Sequence, residues 1–123
     1  MREGRRHNFK NLKIWQIGIE IAKEISDLIE SFPKHEKYDL SNQLSRCSIS
    51  IPSNISEGSA RTDKSFSHFL DIALGSSFEL YSQLIIAKHR KYINDETFKD
   101  LEIKIEDFQR MTMKFQNNLN IPV

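Results

Sequence analysis

Arg46, Ser50, Asn54 and Glu57 come nearer than any other residues of this 123-residue chain to a reactive constellation. At 3.6 residues per turn, steps of four, four and three align a guanidinium, a hydroxyl, an amide and a carboxylate in one row along a helix. Beside that row runs the apolar stripe Cys47, Ile51 and Ile55, and Pro52 falls where the surrounding spacing demands helix. Proline there removes an amide donor and clashes with the preceding turn, at a cost of about 3 kcal/mol. One reading is a self-satisfied polar network that fixes a kink at Pro52, since an unpaired buried polar group costs ~1–3 kcal/mol. The other is a polar site in a groove or pore that recognises a ligand or a nucleic-acid backbone. In that case Arg46 and Arg61 bear the phosphate and Glu57 only positions them, because a carboxylate repels phosphate. That repulsion favours the structural reading.

Known catalytic and metal signatures are missing. His7, His35, His68 and His89 are dispersed, and the chain has no HExxH pair, no phosphate loop and no nucleophile elbow. The sequence therefore predicts no catalytic residue, no metal and no cofactor. Cys47, the single cysteine, lies on an apolar stripe and is expected to stay a protonated core thiol in a reducing compartment. No apolar run approaches the ~20 residues that cross a bilayer, and the polar N-terminus lacks a signal-peptide core, so a cytoplasmic protein without a membrane role is expected.

Charge is nearly balanced overall, +1 at pH 7, but unevenly spread. Arg2, Arg5, Arg6, Lys10 and Lys13 oppose only Glu3 in the first thirteen residues. Such an arm can neutralise phosphates in a salt-dependent way, or it can be a solvated terminus that aids solubility. A second basic cluster, Lys88, Arg90 and Lys91 with His89 between them, suits a helix C-terminus and is a further candidate nucleic-acid contact. Phe9, Trp15, Phe66 and Phe69 could stack on bases, although aromatics at core-facing helical spacing are ordinarily packing.

The elements that must carry these residues are four helices behind an arm of residues 1–11, forming one all-α domain over residues 12–120. Leu12, Trp15, Ile19, Ala22 and Ile29 mark helix one, which Phe32-Pro33 ends. Leu40, Leu44, Cys47, Ile51 and Ile55 mark helix two, kinked near Pro52, with Gly58 as a left-handed exit. Thr62 or Asp63 caps helix three, and Asn94 or Asp95 caps helix four, whose Phe98, Leu101, Ile105, Phe108, Thr112, Phe115 and Leu119 alternate steps of three and four. Short connections make an antiparallel up-down-up-down bundle the natural arrangement. Helices one and three carry extra apolar stripes, Ile14, Ile21, Ile25 and Leu28 on one and Leu74, Phe78, Tyr81 and Ile85 on the other. These predict a homo-oligomer that covers them, unless a broad stripe simply sits deep in the bundle.

Leu12-Lys13-Ile14-Trp15-Gln16, Phe32-Pro33 with Glu36, Tyr38-Asp39-Leu40, Gln43-Leu44, Ser50-Ile51-Pro52-Ser53-Asn54-Ile55 with Glu57-Gly58, and Phe69-Leu70-Asp71-Ile72-Ala73 with Gly75-Ser76 and Glu79 together resemble a known pattern. It is that of the bacterial four-helix-bundle proteins named after the intervening sequences of 23S ribosomal RNA genes. Ser56 and Ser77-Phe78 depart from it, where alanine and a more aliphatic pair are expected. The resemblance implies an up-down bundle assembled as a ring, a pentamer, without enzymatic activity. More remotely the chain is similar to accessory proteins of diversity-generating retroelements, which bind a reverse transcriptase and RNA. The functional expectation is a non-enzymatic oligomeric scaffold that binds RNA or a nucleic-acid-processing protein through Arg2, Arg5, Arg6 and Lys10, helped by Lys88, Arg90 and Lys91. The alternative is a protein-interaction hub with no nucleic-acid role.

Overall fold

A computed structural model describes residues 7–121, and among them all regular structure is helical. A 3-10 turn at Phe9–Asn11, capped by Asn8, leads into α1 (Lys13–Ile29), and a second turn at Lys34–Glu36 precedes α2 (Leu40–Ser59). The long helices α3 (Asp63–His89) and α4 (Asp95–Asn117) follow. Their caps are Thr62, whose hydroxyl accepts from the Ser65 amide, and Asn94, whose side chain accepts from Thr97 at 2.7 Å. In both cases the cap is the residue before the acidic first turn, so the side-chain oxygen meets free amides and the acid meets the helix dipole.

Each helix packs on its neighbours in the chain, and α4 closes the bundle on α1. Contacts between consecutive helices run in opposite senses: Gly18 meets Pro52 while His7 meets Ser59, and Ser50 meets Ser76 while Gly58 meets Phe66. Likewise Ser67 pairs with Gln116 and Lys88 with Asp95. The loops after α1 and after α3 therefore share one end of the bundle. His7 and the 3-10 turn after it, the α2–α3 connection and the end of α4 share the other.

Helix α2 continues through Pro52, and the reason lies in α1. An added Cβ at Gly18 would stand 3.2 Å from Ile51 Cγ2 and 3.5 Å from both the Pro52 nitrogen and its Cβ. The two backbones press together where proline has no amide to leave unpaired, and its buried ring supplies apolar surface in exchange. This contact also sets the rotation of α1. Ile14, Gly18, Ile21 and Ile25 turn inward, whereas Trp15, Ile19, Ala22 and Ile29 are only half-buried at the flank. The two stripes read from helix one thus exchange places: the one reserved for a partner is the core. A broad apolar helix does not reveal its own rotation, and a small residue at the crossing decides it.

Gly58 is likewise not an exit. The helix runs on to Ser59, and a Cβ at Gly58 would fall 2.7 Å from Phe66 Cδ1 and from Phe69 Cβ, so glycine is there for clearance beneath α3. The left-handed exit lies at the end of α3, where Lys91 has φ 65°. There the Tyr92 amide reaches the Ala87 carbonyl and the Lys91 amide reaches Lys88, a Schellman closure built without glycine.

Candidate functional site

The row on α2 divides by environment. Asn54 Nδ2 donates to the Ser50 carbonyl at 2.8 Å and to Ser50 Oγ at 2.9 Å, and Ser50 Oγ shares a hydrogen with Ser76 Oγ of α3 at 2.9 Å. Arg46 and Glu57, which belonged to the same predicted network, are exposed, and their side chains have no hydrogen bond or ion pair among the described residues. Helical drift carries the two ends of the row to the rim, where water solvates the charges, and only neutral groups go inward. The part that is withdrawn from water binds itself and one hydroxyl of α3. Cys47, one turn before, is half-buried beside Gln83 Nε2 at 3.3 Å and Glu79. Burial raises its pKa, outweighing the Gln83 contact, which keeps the thiol protonated. Among the described residues no group of histidines, cysteines and carboxylates is placed to hold a metal.

A tighter cluster sits at the end that holds the α1–α2 and α3–α4 loops. The buried carboxylate Glu36 accepts from Tyr92 Oη at 2.6 Å and from Arg90 Nη1 at 2.7 Å, with His35 Nε2 3.6 Å away. The Tyr92 hydrogen bond, followed by the charge of Arg90, holds Glu36 below the ordinary carboxylate range against the opposing effect of burial, and Tyr92 is raised in turn. The sequence reading passed over Glu36 as chemistry. A carboxylate in one loop and Arg-x-Tyr in another could have been paired by asking which loops of an antiparallel bundle share an end.

This cluster occupies part of the second basic patch. Arg90 is spent on Glu36, and Lys88 lies 3.7 Å from Asp95 and over the Phe98 ring, while Lys91 is exposed. The patch also stands at the far end of α3 from the arm, and 27 helical residues at 1.5 Å each separate the two by about 40 Å. Arg2, Arg5 and Arg6 lie outside the described residues. The root of the arm is His7, whose amide donates to the Ser59 carbonyl. Its ring meets Asp63 Oδ1 at 3.0 Å and packs against Phe66 and Phe115. Asp63 also accepts from the Asn120 amide at 2.9 Å, so one carboxylate ties His7 and Asn120 to the start of α3. Lys10 is exposed, and its carbonyl is held by Gln16. Phe9 packs edge-on against Trp15 rather than standing free as a stacking platform.

Among the residues expected at an oligomer interface, Ile14, Ile21, Ile25 and Leu74 are buried within a single chain. Leu28 and Tyr81 are half-buried, Tyr81 donating to Glu102 at 2.6 Å. Phe78 and Ile85 are exposed, and Ile72 and Ile86 join them along the outer side of α3. Among the described residues no helix is long and apolar enough to cross a membrane.

A family model described as "23S rRNA-intervening sequence protein" matches residues 10–114. Among solved structures, a crystal structure of a protein of unknown function from the S23 ribosomal protein family of Bacteroides thetaiotaomicron VPI-5482 superposes with a TM-score of 0.79. It is 20% identical to this chain, and the alignment covers 85% of this chain and 99% of that one, a likeness of fold. No curated protein matches.

Proposed function

We propose, from the premise that this chain belongs to the 23S rRNA-intervening sequence protein family, that it is a non-enzymatic helical scaffold. It works as a homo-oligomer, a ring of five, and binds RNA or a ribonucleoprotein partner through its basic N-terminal arm. One observation carries the oligomeric part: Ile72, Phe78, Ile85 and Ile86 of α3 are 40–51% exposed in the single chain. An apolar helix face left to water invites a second copy. Several arms on one particle raise avidity without a high charge per chain, which fits a chain of net charge +1. Catalysis is not part of the reading, because Ser50 and Asn54 of α2 and the groups of the Glu36 cluster are spent on their neighbours, while Arg46 and Glu57 stand exposed at the two ends of the row. A cytoplasmic, reducing setting fits the free thiol of Cys47.

Sedimentation equilibrium at micromolar concentration tests the assembly. The expected mass is that of five 14.4 kDa chains, and the double variant Phe78→Glu/Ile85→Glu should sediment as one chain with its helical circular dichroism intact. A monodisperse wild-type monomer ends the scaffold reading. Anisotropy of a labelled RNA hairpin tests the arm, with affinity falling steeply between low and moderate salt. A partner captured after nuclease treatment and at high salt would favour the protein-interaction hub instead.

A further inference from the structure

We infer that the groove between the end of α1 and the start of α2 binds a small anionic molecule. Its phosphate or carboxylate group sits on the N-terminus of α2, and its apolar body lies along the α1–α2 loop. The groove has a volume of about 430 Å3, within the range of small-molecule sites. One wall is apolar, formed by Ile29, Phe32 and Pro33, and the other is the beginning of α2, with Ser41, Asn42 and Ser45. Phe32 is buried and packs against Tyr92 of the α3–α4 loop, so the apolar wall is fixed from behind.

Ser41 is what points to a ligand. It is only 8% exposed and lines the groove, yet its hydroxyl has no hydrogen-bond partner among the described residues. Farther along the same helix, Ser48, Ser56 and Ser59 each donate to the carbonyl three residues back. A largely buried hydroxyl that binds nothing else stands ready for a group entering the groove. The backbone beside it is equally unspent. Asp39 precedes α2 without capping it, its carboxylate accepting instead from Gln43 Nε2 at 3.2 Å, and the Ser41 and Asn42 amides have no acceptor among the described residues. Two such amides at the positive end of a 20-residue helix attract an anion. Lys34 and Lys37 line the same groove, exposed and without an ion pair among the described residues, and Lys37 Nζ rests 5.4 Å from the centre of the Tyr38 ring. Against them stands Glu30, exposed on the wall of the groove, whereas Asp39 is held by Gln43 and Glu36 by Arg90 and Tyr92.

The test is titration calorimetry of the full chain at low salt, with phenyl phosphate and benzoate as probes and inorganic phosphate as the bare anion. At least one aromatic anion should bind, more tightly than inorganic phosphate, and the tighter of the two identifies the anionic group. Ser41→Ala should weaken that binding about tenfold, as the loss of a hydrogen bond to a charged group does. Lys34→Gln/Lys37→Gln should weaken it roughly threefold to tenfold, because both cations are exposed. Lys10→Gln/Lys13→Gln, the same charge change at the other end of the bundle, should leave it unchanged. Helical circular dichroism reports that each variant is folded. The inference falls if neither aromatic anion binds, or if inorganic phosphate binds as tightly, since the apolar wall is then unused. It also falls if Ser41→Ala binds like the wild type, or if the two lysine pairs lose affinity equally and the effect is net charge.

Discussion

At Glu36 a single carboxylate joins two loops, and its pH dependence follows from its partners. Tyr92 and Arg90 favour the ionised form in the folded chain, so the folded pKa lies below the ordinary value. The stabilisation is complete above about pH 4.3 and disappears as pH falls through the lower folded value. Glu102, lowered by Tyr81 and then by Lys99, behaves the same way. Thermal melts between pH 7 and pH 3 should show stability falling with acid, and Glu36→Gln should be less stable at pH 7 with a shallower fall, Glu102 accounting for what remains. An unchanged acid profile would remove the coupling assigned to this cluster. Thr112 is the opposite case. It is fully buried on the core stripe of α4, and its hydroxyl has no partner among the described residues. Desolvating an unpaired hydroxyl costs about 1–3 kcal/mol, so the isosteric Thr112→Val should raise stability in urea titrations by about 1 kcal/mol.

Helices are where the sequence was most legible, and rotation and clearance were where it was not. The stripes of α2 and α4 fix their inward faces because each has a single apolar row with polar neighbours, whereas the extra stripe of α3 splits, Leu74 going inward and Phe78 and Ile85 staying outside. α1 has two adjacent rows, so only Gly18 against Pro52 distinguishes them. Glycine is equally ambiguous in one dimension. Gly58 resembles a helix exit by position, yet it is a clearance residue because α3 lies over it. Alanine substitution separates the roles. Gly58→Ala should destabilise by about 1–3 kcal/mol, since the new methyl meets Phe66 and the Phe69 Cβ at 2.7 Å. Gly75 is exposed on α3 with open space around it, and Gly75→Ala should stabilise the single chain by about 0.5–1 kcal/mol through helix propensity alone. The candidate site was legible in its composition and not in its partition. Sequence spacing aligned Arg46 with Glu57, but it could not show that both reach water. Nor could it show that Arg90 answers a carboxylate 54 residues away.

For the whole molecule, the decisive quantity is how much apolar helix surface one copy leaves uncovered. Helix α1 hides its broad face inside the bundle, so of the two helices expected at an interface only α3 still presents apolar surface, where Ile72, Phe78, Ile85 and Ile86 flank Gly75, besides the exposed Ile49 of α2 and Ile103 and Met113 of α4. A face of this kind links stability to concentration. If folding and association are coupled there, tenfold dilution withdraws about 1.4 kcal/mol per association step. For a domain of this size that lowers Tm by roughly 4–8 °C. Melts of the wild type at two concentrations a decade apart should differ by that order. Phe78→Glu/Ile85→Glu should melt at one temperature at both, because its α3 face no longer recruits a partner. The same comparison gives Gly75 a second meaning. If the covering helix approaches closely at Gly75, the methyl of Gly75→Ala removes the concentration dependence even though it strengthens the isolated helix. If it packs only on the flanking Phe78 and Ile85, the dependence survives and the gain in propensity adds to it. A wild-type Tm that does not move with concentration would leave the exposed face of α3 as ordinary surface, and the arms would then act singly, without the avidity of a ring.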